Sequence, residues 1–446
     1  MKKTFSCILA LVMLFCAQAG IVPSYAFAED VPTSGQCGDN LTWVLDTASK
    51  TLTISGTGAM WDYDRRSILP PEFQTGMPSP ASWGRAQHVV MEESVTTIGT
   101  YAFHRLGVET IVLPDSLESI GESAFRESGL AEIVFPQNLR EIGDLAFYEC
   151  PYLTEIQLSQ NLLEIGAWVF AYASLRSVYI PKSVQTIGEA AFSGMYVEKY
   201  EIDPQNESFC AKEGVLFTKD MKTLIAFPLG AKVKHYTIPD TVEIIGCCAF
   251  YEGSGTYLEG VYFPDSVRII EEGAFLGQHA LRDVRLPRNL EYLARDSFFS
   301  IRSFACLEIP ATMREIELCA FYLWEQTNKD VYFLGEPPVF GGGASAHFSA
   351  DYVLYYPAAL ADVWAPNSET SYQGCNIAPY SYDRGDANCD GAVTAADATA
   401  ILRHIVKLER IYLRGEEVAD VTGDGQITAA DAAKILRWIV RLESKL

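Results

Sequence analysis

The chain has 446 residues and a formal net charge of −23, because 57 Asp and Glu residues outnumber 34 Lys and Arg residues. Nucleic acids and anionic membrane surfaces are bound through clustered basic side chains, so this acidity argues against both as partners. Hydrophobic residues make up 49% of the chain and charged residues 20%, which is typical of a folded globular protein. The length favours about three domains.

The N-terminus has the pattern of a secretory signal peptide, which we assign to residues 1–28. Two lysines precede an apolar stretch, residues 8–16, that is too short to span a bilayer. A small-x-small cleavage pattern at residues 26–28 predicts that the mature chain begins near Glu29. No later stretch is apolar and long enough for an anchor, so we expect a secreted protein without membrane insertion.

Residues 29–93 are predicted to form a β-rich lead-in to the repeats that follow. Apolar residues alternate with polar ones over residues 41–45 and again over residues 52–54, which indicates two short strands with one buried face. The Pro-rich residues 61–85 are predicted to form a loop.

A short phrase recurs over residues 94–336, which we call the array. An Ile-Gly pair is followed by an Ala-Phe pair that begins four residues after the Ile. The first five Ile residues are 22 or 23 residues apart: Ile98, Ile120, Ile142, Ile165 and Ile187. This period falls in the range of leucine-rich repeats. No single unit can bury its own apolar face, so we expect the units to stack into a solenoid.

Between the phrases lies a short alternating segment that ends in Pro, as in residues 111–114 and 178–181. Alternation predicts a strand whose first and third residues face inward. The Pro ends the strand, the Ile-Gly pair is expected to turn the chain, and the Phe is expected to fill the far side of the core. In the last three phrases Glu271, Ala294 and Glu317 replace the Gly, which predicts a different turn there.

The nine phrases resemble the BspA-like class of bacterial leucine-rich repeats. The resemblance implies a mainly β solenoid with short turns and helices. It also implies a β-hairpin insertion in the longer unit at residues 196–240. A closing strand and short helix are implied within a C-terminal cap and linker, residues 337–381, with the linker itself expected over residues 379–385.

The stacked strands are predicted to present an extended outer face. Its outward positions are Val112, Val134, Gln157, Tyr179, Glu201, Thr237, Tyr262, Arg285, Glu308 and Tyr332. The tyrosines are flat amphipathic groups suited to a protein or carbohydrate ligand, although Tyr is also simply a good strand residue.

The last segment, residues 382–446, contains one twelve-residue pattern twice; we call this segment the tail. Each copy has oxygen donors at positions 1, 3, 5, 9 and 12, a backbone carbonyl for position 7, and Gly at position 6, as in a calcium-binding EF-hand loop. The candidate ligands are Asp386, Asn388, Asp390, Ala392, Thr394 and Asp397 in the first loop, and Asp420, Thr422, Asp424, Gln426, Thr428 and Asp431 in the second. We therefore expect two calcium ions. Position 12 is Asp where EF-hand sensors have Glu, and Thr422 is a weaker ligand than Asn or Asp.

An apolar pattern at helical spacing follows each loop, at residues 401–408 and 435–442. A calcium loop and helix repeated 34 residues apart (420 minus 386) resembles the type I dockerin module. The resemblance implies a small all-α calcium-binding fold of paired EF-hand-like loop–helix motifs, with a cohesin domain of a scaffold protein as its partner. The implied cohesin contacts are Ala395, Ala396, Leu402, Arg403 and Lys407, with Ala429, Ala430, Leu436, Arg437 and Arg441.

The sequence holds no HExxH, GxSxG or P-loop pattern, and stacked repeats offer no deep pocket, so we predict no catalytic residues. These features together predict a secreted, non-catalytic binding or adhesion protein. Its array would bind a protein or polysaccharide, and its dockerin would anchor it to a cellulosome-type assembly engaged in polysaccharide degradation. The alternatives are a dockerin-borne enzyme or protease inhibitor carried by the repeat region, and a host or cell-surface adhesin.

Overall fold

The computed structural model of the chain describes residues 33–63, 81–251, 257–301, 307–322, 330–348, 351–408 and 410–446. The predicted signal peptide lies outside these residues. The described chain is mostly β, a solenoid of about twelve turns followed by a small helical tail, which confirms the predicted fold class. None of the described helices is long and apolar enough to cross a membrane.

The strands fall into four groups along the chain. The lead-in contains β1 (Ser34–Gly38), β2 (Leu41–Asp46), β3 (Thr51–Gly56) and β4 (Gly58–Ala59). The first repeats contain β5 (His88–Met91), β6 (Val95–Ile98), β7 (Thr110–Val112), β8 (Ser119–Ile120), β9 (Glu141–Ile142), β10 (Glu164–Ile165), β11 (Ser177–Ile180) and β12 (Thr186–Ile187). The longer unit contains β13 (Lys199–Ile202), β14 (Phe209–Lys212), β15 (Val215–Thr218) and β16 (Thr223–Ala226).

The remaining strands and the helices complete the chain. The later strands are β17 (His235–Thr237), β18 (Ile244–Ile245), β19 (Gly260–Tyr262), β20 (Ile269–Ile270), β21 (Asp283–Val284), β22 (Tyr292–Leu293), β23 (Phe298–Phe299), β24 (Leu307–Ile309), β25 (Glu315–Ile316), β26 (Phe321–Tyr322), β27 (Asp330–Phe333), β28 (Val339–Phe340), β29 (Val353–Pro357), β30 (Ser371–Tyr372) and β31 (Cys375–Tyr380). The α-helices of the described residues are α1 (Ala361–Trp364), α2 (Ala395–Ile405), α3 (Leu413–Ala419) and α4 (Ala429–Ile439).

Two parallel ladders run along the solenoid. The Pro-ended segments form the outer ladder, as where β17 pairs with β19 and β19 with β21. The Ile of each phrase ends a short strand of the inner ladder, in which β6, β8, β9, β10 and β12 pair in register. The lead-in continues the outer ladder, since β3 pairs in parallel with β5. Each repeat therefore hydrogen-bonds to its neighbours at two edges, which is why a short unit can fold only in a stack.

The prediction that the Ile-Gly pair turns the chain is wrong. Gly121 has no positive φ, and its N–H continues the inner ladder by donating to the Ile98 carbonyl at 2.8 Å. The glycine is required by close approach, because a Cβ there would lie 2.7 Å from the Thr100 nitrogen of the neighbouring repeat. The left-handed turn comes two residues later, at Ser123 (φ 54°), whose N–H donates to the Asp144 carbonyl at 2.8 Å.

The last three phrases use the same turn, so the expected difference there is also wrong. The N–H groups of Glu271, Ala294 and Glu317 donate to the Ile or Leu carbonyl of the preceding repeat at 2.9, 2.9 and 2.8 Å, as the glycines do. The left-handed residue again follows two positions later, for example at Asp296 with φ 55°.

A stack of aromatic rings forms the centre of the core. The phrase phenylalanines are buried and their rings lie nearly parallel, with neighbouring centroids between 4.7 and 6.0 Å apart. The predicted loop at residues 61–85 supplies the first ring, because the fully buried Trp83 stacks on Phe103 at 5.4 Å. Phe227 and Phe348, which lie outside the recognised phrases, extend the stack at 4.8 and 6.0 Å.

The longer unit contains the implied hairpin, since β14, β15 and β16 pair antiparallel before β16 rejoins the inner ladder at β18. The C-terminal cap has the implied strand β29 and short helix α1. The outer ladder then continues into β31, which pairs in parallel with β29 and ends at Tyr380. The linker expected over residues 379–385 is therefore shorter, because its first two residues belong to this strand.

The tail packs α2 against α4 around a small core. The apolar residues buried in this core are Ala387, Ala398, Ile401, Ile411, Ala419, Val421, Ala432 and Ile435. The helices after the two loops match the sequence prediction. The sequence analysis did not predict α3, which lies between α2 and the second loop.

Candidate functional site

The two tail loops have the same internal geometry at position 1. The Asp386 carboxylate accepts N–H bonds from Asp390 at 3.1 Å and Gly391 at 3.0 Å. In the second loop Asp420 accepts the equivalent bonds at 3.2 and 2.7 Å. The donors are the backbone N–H groups of positions 5 and 6. In each loop the position 1 carboxylate therefore stabilises the turn of its own loop.

The position 12 carboxylate likewise accepts two backbone N–H bonds, at the start of each helix. Asp397 accepts N–H bonds from Asn388 at 3.0 Å and Thr394 at 2.7 Å. Asp431 accepts the equivalent bonds at 2.9 and 2.8 Å. Both carboxylates are fully buried. In each loop the position 12 carboxylate is thus hydrogen-bonded to the backbone of positions 3 and 9, and the full set of calcium ligands stays a prediction.

The threonines at position 9 also cap the helices. The hydroxyl oxygens of Thr394 and Thr428 accept N–H bonds from Ala396 and Ala430 at 3.1 and 3.2 Å, at the first turns of α2 and α4. These bonds satisfy amides that would otherwise lack partners at a helix start. The role of the two threonines at a metal ion stays a prediction.

The donor chemistry of the loops fits calcium. Within the described residues no three His, Cys, Asp or Glu side chains converge closely enough to hold a metal ion by themselves. A calcium ion, however, also takes amide, hydroxyl and backbone oxygens, which positions 3 and 7 supply. Over the same part of the chain, neither Asp397 nor Asp431 forms an ion pair with Lys or Arg. A buried carboxylate without a counter-charge is costly, and a bound cation would remove that cost.

The position 1 carboxylates differ between the loops. Burial raises the pKa of Asp386, an effect that the Gly391 N–H bond opposes and the nearby Asp397 charge reinforces. At Asp420 burial acts in the same direction, but N–H bonds from Gly425 and Gly423 outweigh it and lower the pKa. The ionised form of the position 1 carboxylate is therefore less favoured in the first loop than in the second.

All ten predicted partner contacts are exposed on α2, α4 and the turns that follow them: Ala395, Ala396, Leu402, Arg403, Lys407, Ala429, Ala430, Leu436, Arg437 and Arg441. Within the apolar pattern after each loop, only the first residue, Ile401 or Ile435, is fully buried. The helices end at Ile405 and Ile439, so the later apolar residues project from their ends. Each half of the tail consequently leaves a similar apolar patch uncovered.

The outer face of the array has the register that the sequence predicted. Strand pairing places Tyr179 beside Glu201, and Thr237 beside Tyr262. The outward positions from Val112 to Tyr262 are exposed, whereas Glu308 is buried with 7% of its surface accessible. The outer face is therefore open along most of the array and covered near its C-terminal end.

Comparisons with known families match two parts of the chain. Residues 82–198 and 226–329 match the BspA type leucine rich repeat region in six copies. Residues 384–439 match the dockerin type I domain. The chain carries a BspA-type repeat region and a type I dockerin domain. A comparison with curated proteins found no match.

Two solved structures show the same repeat fold. A leucine-rich repeat protein from Eubacterium ventriosum is 21% identical, with a TM-score of 0.52 over 67% of this chain and 86% of that chain. The pneumococcal vaccine antigen PcpA is 20% identical, with a TM-score of 0.56 over 79% of this chain and 100% of that chain. At these identities the likeness concerns the fold alone. Repeat regions and dockerins are both non-catalytic kinds of domain, and dockerins generally bind calcium and cohesins.

The structure also brings together dockerin residues that the sequence analysis missed. Residues 410–416, which lead into and include the first half of α3, lie against the covered end of the outer face. Ile411 and Leu413 are buried there, as are the charged side chains of Arg414 and Glu416. Within the dockerin, α3 lies so close to the first loop that a Cβ at Gly415 would be 2.2 Å from the Ala387 carbonyl oxygen. In the sequence, the alternation of Ile411 and Leu413 was the signal that these residues are buried. Gly415, a poor helix former, interrupts the pattern that would have predicted α3.

Proposed function

We propose that this is a secreted, non-catalytic binding protein that its dockerin anchors to a cohesin domain of an extracellular scaffold. The observation that supports this most directly is the contrast in exposure between two sets of side chains in each dockerin half. The residues expected to meet a cohesin are all exposed, while the position 12 carboxylates expected to meet calcium, Asp397 and Asp431, are fully buried. Dockerin and BspA-type repeats are both typical of extracellular or cell-surface proteins.

In this proposal two calcium ions hold the dockerin in its binding shape. The first would be held by Asp386, Asn388, Asp390 and Asp397, and the second by Asp420, Thr422, Asp424 and Asp431. Backbone oxygens of Ala392 and Gln426 complete the sets, with Thr394 and Thr428 beside them. Bound calcium supplies the positive charge that the buried carboxylates lack, and so fixes the start of α2 and of α4.

We further propose that either half of the dockerin can occupy the centre of the cohesin interface. The two capping boxes, the two loops and the two uncovered apolar patches have matching geometry. Alanines at the helix starts allow close approach of a partner backbone, and the basic residues near the helix ends can meet carboxylates. His404 of one half corresponds to Trp438 of the other, so the two orientations need not have equal affinity.

Single-half and double-half variants test this proposal. Ala395→Arg with Ala396→Arg should leave calorimetric binding to a matching cohesin nearly intact, because the α4 half remains available. The same change at Ala429 and Ala430 should do likewise, and the four changes together should abolish binding. Ser444→Arg, an exposed change beyond α4, serves as the charge control. Complete loss of affinity in either single-half variant would show that one half alone makes the contact.

The ligand of the array is proposed to bind the open part of the outer face. Tyr179 and Tyr262 present half-exposed rings there, the former bonded to Asp203 at 3.1 Å and the latter stacked on His235 at 6.0 Å. Such supported rings lose little freedom when a ligand packs on them. Protein and polysaccharide pull-downs with the mature chain should retain a ligand that Tyr179→Ala with Tyr262→Ala releases. Tyr152→Ala, an exposed tyrosine outside this row, should retain it.

A further inference from the structure

The outer face of the array ends under a segment of the chain itself. We call residues 410–416 the clasp segment. Its backbone is held at the start by Arg285 of the array, which donates a hydrogen bond to the Arg410 carbonyl. The Arg410 side chain lies 3.2 Å from the Asp265 carboxylate, on a neighbouring repeat. Two repeats of the array thus contact the first residue of the segment.

A carboxylate of the array performs the N-terminal capping of α3. Glu308, in the middle of β24, accepts N–H bonds from Leu413 at 2.7 Å and from Arg414 at 3.5 Å. The residue that precedes the helix, Tyr412, makes no capping bond with its own side chain. The first turn of α3 is therefore completed by the array, and the Glu308 carboxylate is buried in doing so.

The remaining contacts match buried charges across the two parts of the chain. The Arg414 guanidinium lies 3.6 Å from the centre of the Tyr332 ring, and its Nε atom is 3.5 Å from Glu308. Glu416 forms an ion pair with Arg288. Arg414 and Glu416 are only 6% and 8% exposed, and Glu416 also lies 3.5 Å from the Arg410 Nε atom of the clasp segment, so both charges are paired where they are buried. Charges that are buried only in the docked arrangement make that arrangement specific.

We propose that the outer face of the last repeats, around Glu308 and Tyr332, is a docking site for the clasp segment of the same chain. Docking makes the array and the dockerin one unit. It also restricts the ligand surface of the array to the open positions that end near Tyr262. The candidate cohesin contacts of α2 and α4 are exposed while the clasp segment is docked, so docking and cohesin binding are compatible. The proposal does not depend on cohesin binding.

Carboxyl labelling of the mature chain, read by mass spectrometry, tests this docking. A water-soluble carbodiimide with an amine probe labels accessible carboxylates. Glu201 has the same outward position as Glu308 in an earlier repeat and a side chain that is 50% exposed, so it is the internal reference. We expect Glu201 to be labelled and Glu308 to be protected in the wild type. Labelling of Glu308 at the rate of Glu201 would overturn the proposal.

A charge swap identifies the contact responsible. Arg288→Glu, on the array, and Glu416→Arg, in the clasp segment, should each raise Glu308 labelling, because each places like charges together. The double variant, Arg288→Glu with Glu416→Arg, restores an opposite-charge pair and should restore protection. Since Arg288 is about half exposed and belongs to the array, its variant acts without altering the dockerin fold. Arg268→Glu disrupts an ion pair within the array, to Glu291 at 2.6 Å, and is the matched control.

The outcomes separate docking from a change in fold. Protection lost in both single variants and recovered in the swap supports the clasp. Protection that persists in Arg288→Glu, or that is lost equally in Arg268→Glu, contradicts it. Small-angle scattering of the same variants adds an independent measurement: the single variants should have a larger radius of gyration than the wild type and the swap. An unchanged radius in both single variants would also contradict the clasp.

Discussion

The array and the dockerin are both built from repeated units, but the units are stabilised in different ways. In the array, buried aromatic rings stack from Trp83 to Phe348 with a break at the longer unit, and each repeat bonds to the next at two ladders. In the dockerin, two repeats share eight buried apolar residues, five of which are alanine or valine. Stacking can continue indefinitely and adds core with every repeat, whereas two loops facing each other cannot build a large core. The difference indicates that metal binding supplies in the dockerin what stacking supplies in the array.

Removal of calcium should have the largest effect and should affect one part only. In excess chelator we expect the dockerin to unfold while the array stays folded, because the buried carboxylates then lack a counter-charge. Asp397→Ala and Asp431→Ala should each weaken calcium binding at its own loop. Hydrogen exchange of the mature chain, followed by segment, measures both. Retained protection in α2 and α4 with chelator present would contradict this account of the dockerin.

Truncation of a ring in the aromatic stack should produce the next largest effect. Phe147 and Phe170 are fully buried with stacked neighbours on both sides, so Phe147→Ala or Phe170→Ala should cost roughly 3–5 kcal/mol of unfolding free energy. Denaturant unfolding of the array would measure the loss. The exposed Tyr152→Ala is the matched aromatic control and should change stability little. Near-equal stability of the Phe and Tyr variants would refute a stack that holds the repeats together.

Close approach between repeats can be tested with a pair of glycines. A Cβ at Gly143 would lie 2.8 Å from the Glu122 nitrogen of the neighbouring repeat, so Gly143→Ala should cost about 1–3 kcal/mol. A Cβ at Gly107 would have no atom within 4 Å, so Gly107→Ala should change the unfolding free energy little. Thermal unfolding of the two variants compares them directly. A neutral Gly143→Ala would mean that the glycine is not required by packing.

Acid should destabilise the array by a route that does not involve calcium. Burial lowers the pKa of His104 to about 4, against about 6.5 in the unfolded chain. Its contribution to stability is therefore present above pH 6.5 and is lost as the pH falls toward 4. His104→Gln should make the fall in unfolding free energy in that window less steep, by at most about 1.4 kcal/mol per pH unit. The measurement is made in chelator so that the dockerin carboxylates do not contribute, and parallel pH profiles would count against a buried neutral histidine.

The sequence was sufficient for the repeated features and insufficient for the unique ones. The Ile and Phe positions, the outer strands and the calcium-loop pattern recur, so spacing alone revealed them. The reason for each glycine could not be deduced, because Gly121 and Gly143 are explained by distances to a neighbouring repeat that only the stacked structure provides. The clasp segment occurs once, and its contacts join residues more than a hundred positions apart, such as Glu308 and Leu413.

Trp83 illustrates the same limit at the other end of the array. Its segment was predicted as a loop on the basis of proline content, and no repeat phrase includes it. In the structure its ring is stacked on Phe103 and covers the open end of the aromatic stack. A single residue that completes a periodic core has no period of its own, so sequence periodicity cannot identify it.

Anchoring through a calcium-loaded dockerin is the central claim of this account. The most direct measurement is calorimetric titration of the mature chain with a panel of type I cohesins, first in calcium and then in excess chelator. We predict saturable one-to-one binding to at least one cohesin in calcium, and no binding to it in chelator. Binding of equal affinity in chelator, or the absence of binding to every cohesin in calcium, would contradict the claim.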